Sequence, residues 1–208
     1  MGPVVNMTEQ PVLPKRRYEL KKRAEKQAET RLRIIEATVK FHATIGPART
    51  TVARICREAH VQRATFYRHF PDSALLFEEC RAFSLRESPL PDMTSFAQIA
   101  DPVRRLRSAL AAIYPYFRQH ELRMAAIIRD ADILPGSGGG FFRYQDRLSE
   151  LLAAPWKARG QRHARILAAC GHAVDFQAWR SLASRQGLND RAVVESMVTL
   201  VRAAAGQA

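Results

Sequence analysis

Cysteine is scarce in this chain of 208 residues: there are three, Cys56, Cys80 and Cys170. An odd, scattered set implies no disulfide framework, and a reducing compartment fits such usage best. Long apolar runs are missing as well. None approaches the ~20 residues needed to cross a bilayer, so no membrane-spanning helix is expected. The N-terminal segment holds no apolar stretch of the signal-peptide kind. Alternating strands, hairpins and internal repeats are also absent. Acidic side chains are in deficit, 20 against 33 Lys and Arg, which leaves a net charge of +13. The chain does not lack apolar matter: with 47% hydrophobic residues, wholesale disorder is excluded and a core without staples is within reach.

What is present is helical pattern and basic charge, and the charge is unevenly placed. Residues 15–70 carry 15 basic and 5 acidic side chains, whereas residues 71–208 carry 18 and 14. Most of the excess therefore lies in about a quarter of the chain. Such a segment suits a polyanionic partner, either nucleic acid or, less often, an anionic membrane surface. A charge run by itself is usually a solvated face; here it coincides with a compact helical motif.

The expected architecture is all-α in two parts. Residues 1–14, with three prolines and no helical period, read as a disordered tail. A long helix then runs from Lys15, with Ile34, Thr38, Phe41 and Ile45 on one face, and Gly46-Pro47 ends it. Thr51 is a natural N-cap for a short second helix carrying Val52, Ile55, Cys56 and Ala59. After a break at His60-Val61-Gln62 comes a third helix, with Phe66 and Phe70 on its buried side. These three form a helix-turn-helix unit over residues 15–72. A connecting helix is expected over 73–88, before Pro89 and Pro91.

Residues 89–208 read as a second helical domain. Asp101-Pro102 starts a helix that Pro115 is expected to kink or end. Further helices are expected over Leu122–Ile133 and Phe141–Ala154, separated by the glycine-rich loop LPGSGGG. One long helix is expected over about His163–Gln186, closed by Gly187, and a last one capped by Asn189. This domain shows no catalytic or cofactor motif. The glycine-rich loop follows no strand and has neither phosphate-cradling pattern. His163, Cys170 and His172 have no recognised metal-ligand spacing. No cofactor and no metal are expected.

The chemistry sits in the third helix. A recognition helix needs an apolar face that locks it to the bundle and an opposite face of donors for base edges and phosphates. With Phe66 and Phe70 as anchors, Gln62, Arg63, Thr65, Tyr67, Arg68 and His69 are left to face outward. Arg63, at the helix start, is placed to pair bidentately with guanine, a contact that discriminates by ~1–3 kcal/mol. Thr65, Tyr67 and His69 suit phosphate. Thr51 and Arg54, at the start of the preceding helix, suit the backbone beside it.

The stretch RIIEATVKFHATIGPARTTVARICREAHVQRATFYRHFPDSALLFEEC resembles the DNA-binding domain of the TetR (tetracycline-repressor) family of bacterial transcriptional regulators, most specifically over VQRATFYRHFPD. The resemblance implies an N-terminal three-helix DNA-binding domain and an all-α C-terminal domain. That second domain would bind a small effector and dimerise through two long C-terminal helices. It also implies a cytoplasmic, nucleoid-associated bacterial protein that acts on double-stranded DNA as a homodimer, with an unidentified small-molecule effector. Carried over by position, Arg63 looks like the base reader, Thr65, Tyr67 and His69 like groove or phosphate contacts, and Thr51 like a backbone contact. Three positions depart from the pattern. His60 stands where the turn usually has Gly, Gln62 where Ser often caps the third helix, and Ser73 where many members have a phosphate-binding Lys. The basic arm Lys15, Arg16, Arg17, Lys21, Lys22, Arg23 is either a minor-groove arm or a solvated stretch of helix.

Within the second domain the candidate effector pocket comprises Tyr114, Phe117, Phe141, Phe142, Tyr144 and Trp156, which suggests an apolar or aromatic ligand. The candidate dimer seam is Val174, Trp179, Leu182, Val194, Met197 and Val201. Two rival readings stand beside the regulator: a sequence-tolerant architectural DNA binder, and an all-α enzyme with a basic substrate face.

Overall fold

The computed structural model describes residues 15–131 and 139–207. The N-terminal tail and the LPGS part of the glycine-rich loop, with Gly138, lie outside the described residues, as does Asp132. The described residues are helical, with no strand among them. They form a small N-terminal head and a larger C-terminal body.

Helix α1 (Lys15–Thr44) has 30 residues, a length of about 45 Å at the usual rise. Its described side chains are exposed through Glu29, so the basic arm is a projecting helical segment rather than a disordered strand. Only the second half is buried, through Ile34, Ile35, Ala37 and Thr38. The buried Thr38 hydroxyl is satisfied by donating to the Ile34 carbonyl at 2.7 Å. The helix ends as the sequence predicts: Gly46 turns left-handed at φ 90° and its N–H returns to the Phe41 carbonyl. A 3-10 turn, Pro47–Arg49, leads to α2 (Val52–Glu58), α3 (Arg63–His69) and α4 (Ser73–Glu87). Thr51 caps α2 by accepting from the Arg54 N–H, and Asp72 caps α4 by accepting from the Leu75 N–H. The head core is built from the apolar faces of these helices, centred on Ile34, Ile55, Phe66 and Phe70.

The body comprises α5 (Met93–Ala97), α6 (Pro102–Gln119), α7 (Glu121–Asp130), α8 (Gly139–Ala153), α9 (Gly160–Ala173), α10 (Phe176–Arg180) and α11 (Asp190–Ala204). Leu106, Leu110, Ile113, Tyr114 and Phe117 give α6 a fully buried stripe against α8 and α11. Two sequence expectations are corrected here. Pro115 neither ends nor interrupts α6, which continues to Gln119. The ring lies on the exposed side, and the carbonyl it deprives of a partner belongs to Ala111, also exposed, where water can replace the lost bond. The single helix expected over His163–Gln186 is divided at Val174-Asp175, followed by α10 and a π-helical turn, Ser181–Arg185. Asp175 restarts the chain as an N-cap, accepting from the Ala178 N–H at 2.8 Å. The carbonyls freed at the break are not left bare. The Tyr114 hydroxyl donates to Ala173 O at 2.8 Å, and the Gln145 amide donates to Val174 O at 2.9 Å.

Head and body meet where α7 packs against α1 and the 3-10 turn. Asp130, 2% exposed, accepts from the Ala48 N–H at 2.9 Å. Arg129 holds both oxygens of the same carboxylate and also donates to Ile45 O. Gly46 is needed twice at this clasp. Its φ is left-handed, and any Cβ there would collide with the Arg129 guanidinium and the Asp130 carboxylate.

Candidate nucleic-acid interface

Helix α3 is locked by Phe66 and Phe70, 3% and 1% exposed. Its other side is open. Gln62, Arg63, Tyr67 and Arg68 are exposed, with Tyr67 at 52%. Thr51 and Arg54 are exposed at the start of α2, so six of the eight sequence-predicted residues share an open, basic surface. Among the described residues no carboxylate lies within ion-pairing distance of Arg54, Arg63 or Arg68. Their charge is therefore available to an outside anion.

The other two residues are placed differently. Thr65 is half-buried. His69 is also half-buried, and its Nε2 is covered without a hydrogen-bond partner. Burial and the neighbouring charges of Arg68 and Arg31 hold the His69 imidazole below its ordinary pKa.

Sequence reasoning missed Arg31. This side chain donates to the His69 carbonyl at 2.8 Å, pairs with Glu79 at 3.1 Å and lies 4.4 Å over the Phe70 ring. It thereby ties α1 to the C-terminal end of α3 and to α4, favouring a cation where the helix carbonyls end. Its contacts span 38 residues or more, so no local pattern announces them. The turn between α2 and α3 carries the strain that the His60 departure suggests: His60 has φ 53°, and the Val61 N–H closes the turn on Cys56 O. Gln62 sits at the N-cap of α3 without a side-chain capping bond.

Four of the six aromatic candidates of the body stand in one run of ring contacts, Tyr114 with Phe117, Phe117 with Phe141 and Phe141 with Phe142, but the six do not line one cavity. Tyr114 and Phe117 are fully buried in the body core, where Phe117 packs edge-on against Phe176 and Trp179. Tyr144 donates to Pro91 O and pins the segment ahead of α5. Phe142 is 37% exposed, and Trp156 is half-buried with its Nε1 unpartnered. Phe141 alone of the six borders a cavity of about 130 Å³, which lies between the head and the body. The head supplies Val39 and His42 from α1 and Phe77 and Arg81 from α4; the body supplies Tyr116 and Arg123. This cavity is not the pocket drawn from the sequence, whose residues all lie beyond 89; about half of the cavity wall comes from the head. His42 is pressed against Phe77 with ring centres 5.5 Å apart, and burial drives its pKa down to about 4, only partly opposed by Asp130.

The predicted seam residues are likewise placed inside this chain's own core. Val174, Trp179 and Val201 are fully buried, Val194 and Met197 nearly so, and only Leu182 is half-buried. They are consumed by contacts among α6, α9 and α11 rather than presented outward. Cys170 is buried while His163 and His172 are exposed, so these three do not form a ligand set.

Residues 34–80 match the family model for bacterial regulatory proteins of the tetR family. Among solved structures the chain is similar to a Clostridium perfringens protein named for fatty acid metabolism regulation. The TM-score is 0.56 at 15% identity, covering 81% of this chain and 96% of that one. At that identity the likeness is one of fold. No curated protein matches the chain by sequence.

Proposed function

We infer, because this chain is a tetR-family DNA-binding regulator by its N-terminal domain, that it reads a specific operator through α3 and regulates transcription from it. The observation that carries the reading is the open set Gln62, Arg63, Tyr67 and Arg68, held rigid by two buried phenylalanines and unpaired by any described carboxylate. Arg63, at the first turn of α3, is the base reader. Thr51, Arg54 and Tyr67 fix the register on the backbone.

The protein acts as a homodimer on a palindromic site in the bacterial cytoplasm, at the nucleoid. In support, α9 and α11 pack together and keep Ala164, Ala168 and Ala203 exposed, small side chains that let a second copy approach closely, with Leu200 as an exposed apolar side chain beside them. The regulator is a repressor released by a small effector in the cavity between head and body. Effector binding shifts α4 against α7, and a coupling of only ~1–3 kcal/mol between the two sites suffices.

Selection of binding sites from random duplex DNA at near-physiological salt, run beside Arg63→Ala, tests the reading. A two-fold symmetric motif that the variant relaxes at one base position supports it. An unstructured pool, with equal weakening across sequences, would make the protein an architectural DNA binder and reduce Arg63 to a phosphate contact.

A further inference from the structure

We propose that the cavity between head and body takes a small organic acid: an apolar body of one aromatic ring or a short chain, with a carboxylate held between Arg81 and Arg123. This rests on the reading of the cavity as the effector site and names the class of molecule that fills it.

The walls are apolar, with Val39, Phe77, Leu85, Ile128 and Phe141 among them. The exceptions are His42, Cys80, Ser84, Tyr116 with its hydroxyl, and two arginines. No described carboxylate lines the space, so the two guanidinium charges are not neutralised from within. Arg123 donates to the Tyr116 hydroxyl at 3.1 Å, a neutral partner. Arg81 reaches Glu78 only at 3.5 Å, in an exposed i,i+3 pair, the weak surface kind. His42, neutral at physiological pH, adds no third charge and repels no apolar group. A hydrocarbon ligand would cover two cations and return no hydrogen bonds for the water it displaced, and a neutral amide would return only uncharged acceptors. A carboxylate returns charge-assisted bonds to both.

Gly140 supports the assignment independently. The Arg81 stem lies across it, and a Cβ at that position would collide with Arg81 Cδ. Glycine here lets the Arg81 side chain lie flat over the first turn of α8 beside the cavity. The two arginines also come from different parts of the molecule, Arg81 from α4 and Arg123 from α7. A single carboxylate bridging them would fix the two helices against each other. The volume, about 130 Å³, is close to that of an apolar cavity that holds one benzene, roughly 150 Å³.

Titration calorimetry with phenylacetate, phenylacetamide, phenethylamine and toluene separates the terms, because the ring is constant while the end group is negative, neutral, positive or absent. The expected result is phenylacetate binding at least about tenfold tighter than the amide, with no binding of the amine. Arg81→Gln and Arg123→Gln should each erase most of that preference while leaving amide affinity within about twofold. Gly140→Ala should lower phenylacetate affinity selectively, by displacing Arg81. Both arginines reach the surface, and thermal melts confirm that the variants fold. If the amide or toluene binds as tightly as the acid, the organic-acid assignment falls and the effector-site reading stands. If none of the four binds, both fall.

Discussion

The head and the body solve the same packing problem on different scales. The head core has ten buried residues against twenty-five in the body, so the head has far less to lose before it comes apart. Its two motif helices, α2 and α3, have seven residues each, too short to hold shape without tertiary support. At the break between α9 and α10 the body satisfies its freed carbonyls from within, through Tyr114 and Gln145. The head instead borrows from the body: the junction between α1 and α2 is gripped by Arg129 and Asp130 of α7. A DNA-reading head that is weakly self-supporting and externally positioned is one whose orientation another site can set.

The largest expected effect lies on the boundary, at His42. Its folded pKa of about 4 lies below the unfolded value of 6.5. The unfolded chain therefore takes up the proton first as pH falls. Stability from this group is complete above pH 6.5 and is lost as pH drops toward 4, by about 3 kcal/mol at full extent. Both tryptophans, Trp156 and Trp179, lie in the body, so their fluorescence reports the body alone, while far-UV circular dichroism reports the whole chain. Chemical denaturation between pH 7 and pH 4 should show the dichroism midpoint falling ahead of the fluorescence midpoint. His42→Phe should flatten that fall. Coincident midpoints at every pH would mean that head and body unfold as one unit, and the comparison would fail.

The clasp comes next. Asp130→Ala removes the acceptor of the Ala48 N–H and the partner of Arg129. A hydrogen bond to a buried charge is worth about 1.5–3 kcal/mol, so a loss of about 2–3 kcal/mol is expected, confined to the head. Operator affinity should fall with it. The body offers the contrast: Arg107 and Glu195 form a bidentate pair with both side chains about half exposed. Glu195→Gln should therefore change stability by less than about 1 kcal/mol. Equal losses in the two variants, measured by denaturant midpoints, would show that the clasp is an ordinary surface pair.

Local chemistry was legible in the sequence, and long-range placement was not. The caps at Thr51, Asp101 and Asn189 and the stop at Gly46 are set by residues one to five apart, and each forms where the pattern predicts. The outward face of α3 follows from two phenylalanines four residues apart. Periodicity reports that a residue is buried but not what buries it. Val194 and Met197 have the spacing of a seam, yet the chain's own α6 and α9 cover them. Tyr114 and Phe117 look like pocket residues by composition and are core residues by contact. The cavity escaped because half its wall comes from α1 and α4, up to a hundred residues away in the chain. Arg31 escaped for the same reason.

The smallest effect sharpens the comparison inside the head. His60 is held at φ 53° with its side chain exposed. A left-handed conformation costs a residue with a Cβ roughly 1–2 kcal/mol, and glycine avoids that cost. Glycine also gives the unfolded chain more freedom, which takes back about 0.4–1 kcal/mol. His60→Gly should thus stabilise the head by about 0.5–1 kcal/mol and leave the fluorescence midpoint of the body unmoved. The body holds a matched control, since Lys157 has φ 50° and is also exposed. Lys157→Gly relieves the same strain where the core is larger, so its gain should appear in the fluorescence midpoint instead. A loss on His60→Gly, with the expected gain at Lys157, would mean that the imidazole supports the turn between α2 and α3 rather than merely tolerating it. The turn would then be a built part of the DNA-reading surface, and binding to the selected operator should weaken in the same variant.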